Sequence, residues 1–377
     1  MKIYAVGGAV RDELLGLPVA DRDYVVVGAS PEDMVREGFK PVGKDFPVFL
    51  HPQSHEEYAL ARTERKVGRG YKGFAVYAAP DVTLEQDLER RDLTINALAR
   101  DEQGGLIDPF GGAEDLKRGV LRHVSPAFVE DPVRILRVAR FAARFGFAVA
   151  PATLALMRQM VANGEADALV AERVWQEFSR GLMEREPERM LRLLADCWLL
   201  ERLVPELGLV YEDARPANDA ARALERGLQR AAALGRALPQ RFALFTAGAA
   251  GAEAAQAVAE RLKAPNDCRE LALLWHRQAR AVIGAPAAAA SVLIELLEGS
   301  DAFRRPERLE SLLEVCECRQ FGERGWVDSP YPPRTALRLA LLAAAGVDAA
   351  RVAADSPRDK IAARLRRART AAIAAAR

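Results

Sequence analysis

In the first third of the chain the apolar positions come in short runs cut by glycine and proline, as in Tyr24-Val25-Val26-Val27-Gly28 and Pro47-Val48-Phe49-Leu50. Runs of that length with β-branched content predict strands. The chain opens on another, Lys2-Ile3-Tyr4-Ala5-Val6, followed by Gly7-Gly8 and a helical stretch from Ala9 to Leu15. Up to about Leu121 the pattern is therefore α/β in character. After Pro132 it changes to long alanine-, leucine- and arginine-rich stretches with helical spacing, which predict nearly continuous helix. Breaks are expected at Ser125-Pro126, over Leu207–Asn218 with its Gly208 and Pro216, and near Asp328-Ser329-Pro330-Tyr331-Pro332-Pro333, whose prolines cannot continue a helix. The alanine-rich stretch from Ala247 to Ala259 carries Glu253, with Glu260 just beyond, and suits a packed surface helix rather than disorder. No internal repeat is visible.

With 377 residues, half of them hydrophobic, there is ample material for buried cores. The net charge of +1 hides an uneven distribution, since Asp348 to Arg377 holds eight Lys or Arg against three Asp. That end allows a polyanionic partner without demanding one. Cys197, Cys268, Cys316 and Cys318 are scattered without metal-ligand spacing and read as reduced, structural thiols. No basic-then-apolar leader opens the chain and no apolar run approaches the ~18 residues of a membrane span, so a cytoplasmic protein without membrane contact is expected.

Gly7-Gly8 sit where a strand turns into a helix, so the pair serves either as a tight turn or as a close approach for a phosphate, with Arg11 one turn on. Asp21 and Asp23 flank Arg22 just before an apolar strand, and period-two alternation puts both carboxylates on one face with Arg22 on the other. Two acids on one edge repel each other, yet they suit a hard divalent ion shared with substrate phosphates. The bland alternative is a solvated turn capped by an aspartate. In Glu89-Arg90-Arg91-Asp92-Leu93-Thr94-Ile95-Asn96-Ala97, Arg91 can offer a planar donor fork to a triphosphate, with Asp92 and Asn96 available to orient it or to meet a ribose hydroxyl. An exposed ion-pair network is the competing reading. In Glu130-Asp131-Pro132-Val133-Arg134-Ile135-Leu136-Arg137-Val138-Ala139-Arg140, helical spacing keeps Arg134, Arg137 and Arg140 within about a third of the circumference. Such a row repels itself unless an anion joins it or water covers it.

The ordered set Gly-Gly-x-x-Arg, Asp-x-Asp, Arg-Arg-Asp-x-x-x-Asn-Ala and Glu-Asp-x-x-Arg resembles the class II CCA-adding tRNA nucleotidyltransferases of bacteria. The resemblance spans roughly residues 1–205 and includes Phe46-Pro47-Val48-Phe49 and Ala61-Arg62-Thr63-Glu64-Arg65-Lys66; beyond it the chain is similar only in being helical. It implies an α+β protein: a polymerase-β-like nucleotidyltransferase head with a mixed sheet (1–125), then an all-helical neck (126–206), body (207–328) and tail (329–377). It also implies that Asp21 and Asp23 bind Mg2+ and are catalytic, and that Gly8, Arg11, Arg91, Arg137 and Arg140 contact ATP or CTP. Asp131 and Arg134 would template the base. Cytosine and adenine each set an exocyclic amino group beside a ring-nitrogen acceptor, which a carboxylate and a guanidinium can both meet. Glu57, on the strand Glu57-Tyr58-Ala59-Leu60, is a candidate third carboxylate or a solvated one.

Some members of that family carry a His-Asp phosphohydrolase domain in the C-terminal half. Here His51, His55 and His123 lie in the head and only His276 follows, so no phosphatase or cyclic phosphodiesterase activity is expected. The partners implied are tRNA, ATP and CTP, with no obligate protein partner. A bacterial poly(A) polymerase shares the head motifs and is the rival enzyme. A non-catalytic RNA-binding protein is the rival from another class, and it has no need of Asp21 and Asp23 together.

Overall fold

Val25 and Val26 are both buried, and because successive strand residues face opposite ways they feed two different cores. Val25 joins Val6, Val82, Leu88, Ala97 and Ala99, while Val26 joins Met34, Phe39, Phe49, Tyr58 and Leu60. A strand covered on both faces needs an unbroken apolar run, which is why Tyr24 to Val27 reads as one.

The computed structural model describes all residues except 20, 43–47, 67–73, 208–210, 212–218, 326–329 and 377. The central strands are β1 (Lys2–Val6) and β2 (Asp23–Val27), with β3 (Lys40–Val42), β4 (Val48–Leu50) and β5 (Glu57–Leu60) on one side. A hairpin of β6 (Thr63–Lys66) and β7 (Phe74–Tyr77) stands apart; β8 (Ala99–Arg100) and β9 (Leu106–Ile107) close the other side of the sheet. The order is β3-β4-β5-β2-β1-β8-β9, and only β2 and β5 run parallel, so the sheet is mixed as expected. Its helices are α1 (Gly8–Leu14), α2 (Pro31–Arg36), α3 (Leu84–Glu89) and α4 (Gly112–Arg118). Capping boxes at Ser30 and Thr83 start α2 and α3. A short parallel pair, β10 (Val120–Leu121) with β11 (Ala148–Val149), brackets α5 (Val133–Phe145). Helix α5 starts after Pro132 and stops at Gly146, whose φ of 71° is the left-handed end that glycine permits.

From there the chain is helical: α6 (Pro151–Ala162), α7 (Ala171–Met183), α8 (Pro187–Asp196), α9 (Leu199–Leu203), α10 (Asp219–Ala233), α11 (Leu238–Thr246), α12 (Ala252–Arg261) and α13 (Asn266–Gly284). Then come α14 (Ala290–Gly299), α15 (Pro306–Arg324), α16 (Pro332–Ala345), α17 (Ala349–Ala354) and α18 (Ile361–Ala375). Contacts divide the described residues into two compact units, 1–177 with 192–199 and 178–191 with 200–377. The expected break at Ser125-Pro126 falls inside the first unit. Most of the expected break at Leu207–Asn218, together with Asp328-Ser329 and Phe46-Pro47, lies outside the described residues. Pro332 and Pro333 open α16, where proline is tolerated. In the second unit α10 and α15 meet at Gly227 and Gly322; a Cβ on Gly322 would stand 2.1 Å from the Ala223 carbonyl oxygen, so only glycine allows that approach. The four cysteines are buried and free. Burial pushes Cys197 and Cys268 up to about 12, which suits inert thiols.

Candidate active site

Gly7 joins β1 to α1 with φ 71° and ψ −127°, a conformation open to glycine but strained for other residues. A Cβ there would lie 2.6 Å from Arg91 Nη1, so the missing side chain is also what lets Arg91 approach the turn. Beside it, Arg11 is buried. It donates from Nε to Asp12 at 2.8 Å and from Nη1 to Asn96 Oδ1 at 2.6 Å, and it stacks over Phe141 and Phe145 at 5.1 Å each. Burial lowers its affinity for the proton, and the Asp12 carboxylate opposes that loss. The second oxygen of Asp12 accepts from Arg144 at 3.0 Å.

Asp23 is the first residue of β2, opposite Val6 on one side and Glu57 on the other. Alternation puts it on the face of Val25 and Val27, which α3 covers, while Tyr24 lies on the reverse face, stacked on Tyr58. Asp21 and Glu57 are exposed, like Asp23 itself. Asp23 lines a cleft of about 520 Å3; Asp21 does not. Among the described residues no three His, Cys, Asp or Glu side chains gather closely enough to hold a metal by themselves. The donor set is nonetheless the hard, oxygen-only kind that a divalent ion uses when substrate phosphates complete its shell.

The Arg90-Arg91-Asp92 cluster is arranged differently from the simple reading in which Asp92 orients Arg91. Arg91 lies one turn after Asp87, at the end of α3, and pairs with that carboxylate at 3.2 Å while donating to the Asn96 carbonyl at 3.3 Å. Arg90 pairs with Asp87 too, and although burial pushes that acid up, the two arginines hold it below the ordinary carboxylate range. Asp92 is buried and serves Arg137 instead, accepting from Nε at 2.7 Å, from Asn96 Nδ2 at 2.9 Å and from the Leu93 amide at 2.9 Å. Burial alone would raise its pKa; Arg137, Asn96 and Arg134 bring it down to about 2.

Helix α5 presents Arg134, Arg137, Arg140, Phe141 and Arg144 to the same cleft, whose lining holds eight arginines against Asp23, Asp92 and Asp131. That excess of positive charge over a modest cavity fits a polyanion such as a triphosphate. Arg134 is held by the backbone carbonyls of Ala127 at 2.8 Å and Arg90 at 2.5 Å. Asp131 does not pair with it. Its carboxylate takes a two-pronged hydrogen bond from Arg173 of α7, at 3.2 and 2.8 Å, and caps the Val133 amide at 3.1 Å. One turn further along α7, buried Glu177 accepts from Arg140 Nε at 2.6 Å and lies 3.6 Å from Arg137. Arg173 and Glu177 escape a reading by motifs; the signal for them is their i, i+4 spacing in an otherwise amphipathic helix.

Gly8, Arg11, Asp23, Arg91, Asp131, Arg134, Arg137 and Arg140 thus line one cleft, and Asp21 stands off it. A mixed sheet with an acid at the start of a central strand, faced by a helix carrying an arginine row, is the arrangement of a nucleotidyltransferase head. Residues 3–122 match the family of the poly A polymerase head domain, and residues 146–209 match the probable RNA and SrmB-binding site of polymerase A. The chain is 53% identical to the multifunctional CCA protein of Nitrosospira multiformis, over 95% of this chain and 92% of that one. It is equally 53% identical to that of Azoarcus, over 100% and 98%. The Bacillus stearothermophilus CCA-adding enzyme, solved in complex with CTP, superposes with a TM-score of 0.66 at 27% identity over 97% of this chain and 87% of that one. The chain belongs to the multifunctional CCA protein family, and its similarity runs well past the motif-bearing first 205 residues. Nucleotidyltransferases of this kind work with a divalent metal. Among the described residues no helix is long and apolar enough to cross a membrane.

Proposed function

We infer that this protein adds and repairs the 3′-terminal CCA of tRNA, taking CTP and ATP and releasing pyrophosphate, in the cytoplasm. The observation that carries the reading is the single cleft shared by the Gly7-Gly8 turn, Asp23 and the arginine row of α5. Arg11, Arg91, Arg137 and Arg140 would take the triphosphate, with Gly8 at the turn beside it. Asp131 and Arg134 would read the base: the amino group of cytosine or adenine donates to the carboxylate, and the adjacent ring nitrogen accepts from the guanidinium. Guanine and uracil would turn a carbonyl oxygen toward the acid, at a cost of about 1–3 kcal/mol. The tRNA 3′-hydroxyl attacks the α-phosphate and pyrophosphate leaves. Asp21 and Asp23 would hold Mg2+ together with the substrate, and the ion would supply charge neutralisation at that centre. In this reading 1–125 is the catalytic head, 126–206 the base-reading neck, 207–328 the body and 329–377 a tail that can lie along tRNA.

The poly(A) polymerase alternative shares the head, but near-full-length relatives at 53% identity carry the CCA name. Purified protein given tRNA lacking its last three residues, with each nucleoside triphosphate singly and then CTP with ATP, tests the choice. Growth by two C and one A, then arrest, is expected. An unlimited A ladder would select the polymerase, and no incorporation the binding protein.

A further inference from the structure

Among the described residues lining the cleft, the Asp131 carboxylate is the acid that faces an arginine of α7 with both of its oxygens. Arg173 Nη1 reaches Oδ1 at 3.2 Å and Nη2 reaches Oδ2 at 2.8 Å. A planar fork on a planar carboxylate fixes the plane of both groups. Oδ1 also accepts the Val133 amide at 3.1 Å. A carboxylate oxygen has about two lone-pair sites. Oδ1 is therefore filled, by Arg173 and by its own helix, and Oδ2 keeps one acceptor site beside the fork.

We propose that Arg173 is a specificity-determining positioning residue, which locks the Asp131 carboxylate so that a single acceptor site is offered to the incoming base. This rests on the reading of Asp131 as the base-selecting acid. A locked acceptor rewards a base with an amino group in one place and rejects a carbonyl there. An unlocked carboxylate, free to rotate about its terminal torsion, can turn away from a carbonyl and tolerate it. Arg173 stands on the helix whose next turn carries Glu177, the partner of Arg137 and Arg140, so α7 sets the orientation of the base-reading acid and of the phosphate-binding arginines together.

Arg173→Lys keeps the charge but removes the fork, and Arg173→Ala removes both. Each is compared with the unaltered protein for single-nucleotide incorporation of CTP, ATP, UTP and GTP into tRNA lacking its CCA and into tRNA ending in the two cytidines, alongside thermal melting and tRNA binding. The expected result is a fall of about 10-fold or more in the preference for CTP over UTP and for ATP over GTP. For Arg173→Lys it should come with melting and tRNA affinity close to those of the unaltered protein. Adding Asp131→Ala to Arg173→Lys should lower selectivity no further than Asp131→Ala alone. An equal loss of rate with all four nucleotides, leaving the preference intact, would mean a merely structural role and overturn the proposal. So would unchanged kinetics in Arg173→Lys. If the unaltered protein itself fails to add CTP and then ATP, the functional reading fails instead, and the two failures are told apart by that control.

Discussion

Arg137 reaches from α5 across to the head and donates to buried Asp92 at 2.7 Å, tying the start of the helical region to the loop that follows α3. The pair is mutual: the Asp92 charge raises the affinity of Arg137 for its proton, and Arg137 helps bring Asp92 to about 2.

A carboxylate with a depressed folded-state pKa contributes stability that is complete above its unfolded value near 4 and disappears as pH falls through the folded value. The Asp92 contribution, roughly 2 kcal/mol from the size of the shift, is therefore expected to vanish between about pH 4 and pH 2. Asp92→Asn should destabilise the protein by about that amount at pH 7, in urea melts, and the gap to the unaltered protein should narrow as pH falls across the window. A gap that stays constant from pH 7 to pH 2 would refute the assignment.

Gly7→Ala places a methyl group 2.6 Å from Arg91 Nη1 on a backbone with φ 71°. The backbone cost is about 1–3 kcal/mol. The clash is with the end of a flexible side chain, so Arg91 yields and leaves its place in the cleft. The expected outcome is a modest fall in melting temperature with a rise of several-fold or more in KM for both CTP and ATP. Intact nucleotide affinity would separate Arg91 from triphosphate binding.

The acids and arginines that line the cleft were legible because each occupies a motif whose spacing matches an element: Asp23 opens a strand, and the arginine row lies on a helix. The pairings were not. Asp92 looks in sequence like a partner for its neighbour Arg91, but the turn after α3 points it at Arg137, and Arg91 returns to Asp87. Arg173 and Glu177 lie about forty residues past the residues they hold, and nothing local in a helix such as Glu172-Arg173-Val174-Trp175-Gln176-Glu177 says which surface its charges meet. Contacts that span many residues are set by how helices pack, and periodicity is silent on that.

The word multifunctional in the relatives' name raises the question of a second activity. In α11 the residues Arg241 to Thr246 are buried; Arg241 donates to the carbonyls of Leu182, Glu184 and Arg236, and His276 contacts the Thr246 carbonyl at 3.0 Å. Burial lowers the pKa of His276, and one imidazole tied to a backbone carbonyl is a poor start for a hydrolytic metal centre. Phosphatase and cyclic phosphodiesterase assays with Ni2+ or Mg2+ added should give no turnover, while CCA addition proceeds in the same preparation. Metal-dependent hydrolysis that survives a change of purification would contradict this.

Of Asp21 and Asp23, Asp23 is the one fixed between two strands and lining the cleft. Asp21 precedes the strand and is exposed, so a metal would have to draw it in with the nucleotide. If the two acids hold the metal as proposed, losing either carboxylate would remove one of very few protein oxygens from a site completed by substrate phosphates. Asp23→Ala and Asp21→Ala should each cut incorporation by about 10³-fold or more with tRNA binding largely kept, in the range that loss of a charge-stabilising group produces. The two should differ in metal dependence: Asp21→Asn should be partly restored by raised Mg2+, because its partner still anchors the ion, whereas Asp23→Asn should not. Equal rescue of both would place the anchor elsewhere, and full activity in Asp23→Ala would remove the basis for assigning nucleotidyl transfer to this cleft.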